Sequence, residues 1–133
     1  MTSLPPSECI NLFLREAQRL GIEVRWARNG VNNLDASYHA RPGKPGLIML
    51  YERTPRPNAQ QICRLITHEM VHVLQHWKGH LTAVPPLGWP TIESPSGRNL
   101  SRQEQEAYSA QNKPHKVLQA VKLLKPKAAQ DSP

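Results

Sequence analysis

Cysteine is scarce in this chain of 133 residues: there are two, Cys9 and Cys63, far apart and neither part of a CxxC pair. That spacing supports neither a disulfide framework nor a zinc ribbon, and leaves two reduced thiols packed in a cytosolic core as the expectation. Long apolar runs are missing as well. Nothing approaches the roughly 18–20 residues needed to cross a bilayer, which argues against a membrane-spanning helix. The opening Met1-Thr2-Ser3-Leu4-Pro5-Pro6 lacks the basic and apolar stretches of a secretory leader, so a cytoplasmic location without a membrane partner is expected. Acids are few, 10 against 17 Lys and Arg, for a formal charge of +7. The imbalance is concentrated late, where Lys113, Lys116, Lys122, Lys125 and Lys127 follow one another with no acid until Asp131. That segment reads first as a solvated helix face and tail, and second as a surface for nucleic acid or another anionic partner, because charge alone names no partner. No internal repeat is present, and nothing addresses oligomeric state.

What the chain does contain is ordinary globular material, 38% hydrophobic and 20% charged residues, in a length that suits one domain. The expected organisation is a single domain over residues 1–125 and a loose tail over 126–133. The 13 prolines cluster at residues 42–57 and 85–95 and imply irregular excursions. Ile10, Leu12, Phe13, Leu14, Ala17 and Leu20 recur at roughly helical spacing over residues 7–20, and Gly21 suits the left-handed stop. Ile22, Val24 and Trp26 alternate with Glu23 and Arg25 as in a half-buried strand, and Asn29-Gly30 signals a turn. Residues 36–41 and 46–52 flank Pro42-Gly43-Lys44-Pro45-Gly46 as two further strands of a small antiparallel or mixed sheet.

Asn58 followed by Gln61 predicts a capping box and a helix over residues 59–78, stopped at Gly79. At 100° per residue, with His68 at zero, Ile62, Cys63, Ile66, Met70, Val73, Leu74 and Trp77 fall between roughly 120° and 240°. Gln61, Arg64, His68, His72, Gln75 and His76 lie on the other side. Residues 81–99 show no period, which suggests a binding or lid loop. Ser101 with Glu104 repeats the capping-box pattern and opens a helix to about Asn112. Pro114 starts another, anchored by Val117, Leu118, Val121 and Leu124.

His68-Glu69-Met70-Val71-His72 is an HExxH sequence. On a helix, residues four apart lie one turn along the same face, so both imidazoles can reach one ion, while the glutamate faces a metal-bound water without ligating. In a random order of this composition the pattern arises about once or twice in a hundred chains, so the independently predicted helix matters to its weight. A hydrolytic zinc site needs a third protein ligand and one open position. Glu104 and Glu106 are the candidates; a capping box would occupy Glu104, leaving Glu106 the freer carboxylate. Tyr108, His76, His80 and Tyr51 are candidate oxyanion helpers. Trp77 and Trp89 read as core or loop anchors.

The helix-borne HExxH followed by Glu106-Ala107-Tyr108 in a later helix resembles the gluzincin type of zinc metallopeptidase, particularly its small single-domain bacterial forms, over about Leu47 to Tyr108. The resemblance implies an α+β zincin-like fold in which the apolar strand before the active helix forms a sheet edge for extended substrate. It also implies Zn2+ held by His68, His72 and Glu106, Glu69 as general base, and a peptide or protein substrate. The alternative is an inactive zincin-like module that binds an anionic partner through its basic C-terminal segment.

Overall fold

In a computed structural model that describes residues 4–28, 35–53, 55–92 and 99–126, the first element is helix α1, Pro6–Leu20. Cys9, Phe13, Ala17 and Leu20, spaced three or four apart, are its buried stripe. Gly21 closes it at φ 79, a conformation that a side chain resists. Strand β1, Glu23–Ala27, follows. The Asn29-Gly30 turn lies outside the described residues. Strands β2, Ala36–Arg41, and β3, Lys44–Tyr51, form a hairpin closed by Pro42 and Gly43, with Gly43 at φ 71.

The sheet is mixed, with order β1-β3-β2. β1 runs parallel to β3 and β2 antiparallel to it. The strand carrying Leu47-Ile48-Met49-Leu50-Tyr51 is therefore central and not the expected sheet edge; the edges are β1 and β2. Two neighbours explain the dense apolar run: a central strand has its backbone paired on both sides and its inward side chains, Ile48 and Leu50, fully covered. Trp26, on the opposite edge strand, is 45% exposed, so the half-buried reading of β1 holds for Val24 and fails at its aromatic.

Helix α2, Ala59–Lys78, is the axis of the molecule. The Asn58 side chain accepts from the Gln61 N–H while the Gln61 side chain accepts from the Asn58 N–H, so the capping box is complete. Gly79 ends the helix, but at φ −82; its missing side chain matters because a Cβ there would run into the Ala83 carbonyl. The left-handed turn falls on His80 and Leu81, at φ 56 and 62. Tertiary bonds hold that unfavourable backbone in place: the Leu81 carbonyl accepts from Gly43 N–H at 2.7 Å and from His76 Nε2 at 3.1 Å.

Helices α3, Arg102–Ala110, and α4, Pro114–Lys122, complete the order. Val117, Leu118 and Val121 of α4 join Cys9, Phe13, Ile66, Met70 and Val73 in one core. Trp77 anchors the following segment by donating its indole N–H to the Lys125 carbonyl. Residues 81–92 fold back irregularly over α2 and α3; residues 93–98 and 127–133 lie outside the described residues. Among the described residues no helix is long and apolar enough to cross a membrane.

The two cysteines are not free thiols. Cys9 of α1 and Cys63 of α2 form a disulfide, their Cα atoms 5.8 Å apart. Each belongs to the apolar stripe of its own helix, and packing those stripes together brings residues 54 apart in sequence into bonding range. Sequence spacing carries no trace of this.

Candidate metal centre

Both faces of α2 are buried. Its apolar side packs into the core; its polar side lies beneath β2 and α3, which leaves His68 8% and Glu69 5% exposed. A cavity of about 760 Å³ opens over that polar side, reaching from Pro57 and Gln61 past His68, Glu69 and His72 to Val84. β2 and the α3 residues Glu104 and Tyr108 form its other walls.

His68, His72 and Glu104 converge there, each offering one ligand atom, with all three atoms within 4.8 Å of one another. Glu104 Oε1 lies 3.0 Å from His68 Nε2 and 2.7 Å from His72 Nε2. Ligand atoms around a tetrahedral zinc are about 3.3 Å apart, so the two carboxylate–imidazole separations fall only a few tenths of an ångström short of that spacing. Expected as the third group, Glu106 is directed elsewhere. The reason lies in the cap of α3. Ser101 Oγ accepts from the Glu104 N–H, yet the Glu104 carboxylate turns to the imidazoles and not back to Ser101. The capping box that seemed to occupy Glu104 is only half made.

Glu106, 0% exposed, points to the opposite side of α3. Its carboxylate accepts from the backbone N–H groups of Leu87, Gly88 and Trp89 at 2.8, 2.7 and 2.9 Å and from Gln75 Nε2 at 2.9 Å. Burial pushes this carboxyl upward, and the four donors outweigh it, holding the group below the ordinary carboxylate range. The irregular loop is thus tied down by a buried anion, and Lys116 rests 4.4 Å over the Trp89 ring on its outer side.

The same bond reaches the metal centre. Gln75 gives its amide N–H groups to Glu106 and to the Gln103 carbonyl, so its Oε1 faces His72 Nδ1 at 2.8 Å. An amide oxygen only accepts, hence Nδ1 carries a proton, and Nε2 is the ring nitrogen directed at Glu104. His68 is oriented likewise, with Nδ1 3.0 Å from Gln111 Oε1, and Tyr108 packs edge-on against it at 4.7 Å between ring centres. Gln75 and Gln111 escaped the sequence reading, although Gln75 stands three residues after His72, one turn along the same face.

Glu69 lines the cavity and makes no hydrogen bond among the described residues. Burial raises its pKa, with the two imidazoles opposing the shift. Glu104 is held far below the ordinary range by its bonds to His68 and His72. Of the oxyanion candidates, Tyr108 and Tyr51 line the cavity while His76 and His80 do not. Tyr51 shares its hydroxyl with Ser37 at 3.3 Å, whereas the Tyr108 hydroxyl has no partner among the described residues. His76 is committed elsewhere. Its Nε2–H donates to Leu81, so Nδ1 accepts from the Tyr38 hydroxyl at 2.6 Å, which itself accepts from Gly46 N–H.

Fold and site together describe an α+β protein whose central helix and third helix assemble a His-His-Glu group able to hold a metal ion. Comparison with protein families, curated proteins and solved structures finds no match for this chain.

Proposed function

We propose that the chain is a zinc-dependent metallopeptidase of zincin type, with His68, His72 and Glu104 as ligands and Glu69 as general base. The observation that carries this reading is the pairing, in one cavity, of the three converging ligand atoms with a buried carboxylate that has no hydrogen-bond partner among the described residues. Two imidazoles and a carboxylate suit zinc better than harder ions. Zinc supplies Lewis acidity toward a peptide carbonyl and acidifies water beside it.

The chain's own groups do the rest. Glu69 takes the proton of the attacking water and returns it to the leaving amine, a two-way role favoured by the burial that raises its pKa. Gln75 and Gln111 hold both imidazoles with Nε2 toward the ion. Tyr108 supplies a hydroxyl for the developing oxyanion. β2, the sheet edge on the cavity wall, offers unpaired backbone groups to an extended peptide. The Cys9–Cys63 bond favours an oxidising compartment over the cytoplasm, and a thiol count on freshly isolated protein tests that point.

The test is the zinc content of the purified chain, with cleavage of an unstructured protein followed in parallel. One zinc per chain, lost in Glu104→Ala and kept in the inactive Glu69→Gln, is expected. Absence of zinc under metal-replete conditions, or full cleavage by Glu69→Gln, refutes the proposal.

A further inference from the structure

The cavity extends well beyond the metal centre, and its far end differs in charge from its middle. Around the start of α2 it is lined by Arg53, Arg56 and Arg64, with Asp35 the acid at that end. Asp35 is already engaged by Arg53, Oδ1 to Nε at 2.9 Å. Arg56 and Arg64 are exposed, and neither has an ion-pair or hydrogen-bond partner among the described residues. The first turn of α2 carries no acid either, so the positive end of its backbone dipole is not offset there. The middle of the cavity is balanced differently, since the carboxylates of Glu69 and Glu104 stand there beside the imidazoles of His68 and His72. One end of the groove thus keeps two unmatched guanidinium groups within reach of whatever fills the remainder.

From this arrangement we infer that the Arg56–Arg64 end of the cleft is a subsite for a carboxylate of the bound peptide, making acidic peptides the preferred substrate class. The inference rests on the peptidase reading above. Guanidinium groups recognise carboxylates by paired N–H donors, and a partly enclosed cleft screens such a pair less than open water does. Arg64 precedes His68 by four residues, one helical turn or about 6 Å along α2. An extended peptide advances about 3.3 Å per residue, which places the recognised carboxylate about two residues from the scissile bond. The carboxylate comes either from an Asp or Glu side chain or from the peptide's own C-terminus; the second source would make the enzyme trim chain ends.

Four fluorescent octapeptides separate these cases: one sequence with Asp and Glu or with Asn and Gln, each with a free or an amidated C-terminus. Binding is read by anisotropy on zinc-supplied Glu69→Gln chain, alone and with Arg56→Gln or Arg64→Gln added, while cleavage of the same peptides is followed with wild type. The acidic or free-ended peptides are expected to bind about tenfold tighter, and each arginine replacement to remove several-fold of that preference. Preference for acidic side chains in amidated peptides identifies the side-chain source; preference for the free terminus alone identifies the chain end. Equal affinity for all four, or a preference untouched by Arg64→Gln, overturns the subsite. Cleavage without preference overturns the subsite and leaves the peptidase standing. Selective binding without cleavage does the reverse.

Discussion

Glu104 and Glu106 stand two residues apart on one helix, and replacing each by alanine should damage different properties. In Glu106→Ala the protein loses an anion that is fully buried and accepts four N–H groups, three of them from the Leu87–Trp89 backbone. Each donor left without a partner costs about 1–3 kcal/mol, an upper sum near 4–12 kcal/mol if nothing relaxes. The loop borders solvent at Gly88 and Pro90, so water can reach some of these donors; about 3–5 kcal/mol is expected, the range for breaking a buried charged network. Against a total of about 5–15 kcal/mol, that is a large fraction of the stability of the fold. Glu104→Ala removes a side chain that is 40% exposed and keeps the Ser101 cap, which uses the Glu104 backbone; stability should change by no more than about 1 kcal/mol. Urea denaturation in metal-free buffer measures both without the added stabilisation of a bound ion. Zinc affinity, measured by competition with a chromophoric chelator, should show the opposite order. Glu104→Ala should lose more than about 100-fold, while Glu106→Ala, acting through Gln75 on His72, should lose about 10–100-fold. A stable Glu106→Ala chain that no longer binds zinc, beside a Glu104→Ala chain that does, would refute the assignment of the two carboxylates.

The depressed pKa of Glu106 gives a pH dependence with a definite sign. Its contribution is fully present above the unfolded value of 4.5 and is lost as pH falls through the lower folded value, so urea midpoints should drop on acidification below about pH 4.5 less steeply in Glu106→Gln than in wild type. Cleaving the disulfide with a reductant frees a loop closed over 54 residues, for which chain entropy gives about 4 kcal/mol; a melting temperature unchanged by reduction would contradict the Cys9–Cys63 pairing. Asn58→Ala removes half of a complete capping box and should cost about 1 kcal/mol in chemical denaturation while leaving zinc content unaltered.

Local chemistry made much of this protein readable before any tertiary contact was known. The Asn58–Gln61 capping box, the apolar stripe and the HExxH spacing each depend on residues within one or two turns, and they place α2 and the pairing of His68 with His72. Gly21 and Pro114 mark helix boundaries for the same reason: a left-handed stop and a missing N–H are properties of single residues. What failed to show depends on where elements meet. Ser101 and Glu104 fit a capping pattern, but a carboxylate chooses between its own helix end and two imidazoles only once α3 is packed on α2. Glu106 looked like the free ligand because the backbone donors that claim it belong to a loop without periodicity. The central place of β3 and the disulfide likewise follow from packing, in which partners far apart in sequence become neighbours and compete for the same polar groups. Spacing along the chain was enough to place the helix, its two histidines and Glu69 beside them; packing of α3 on α2 selected Glu104 over Glu106 to face them, since only packing sets the distances over which a buried carboxylate must find its donors.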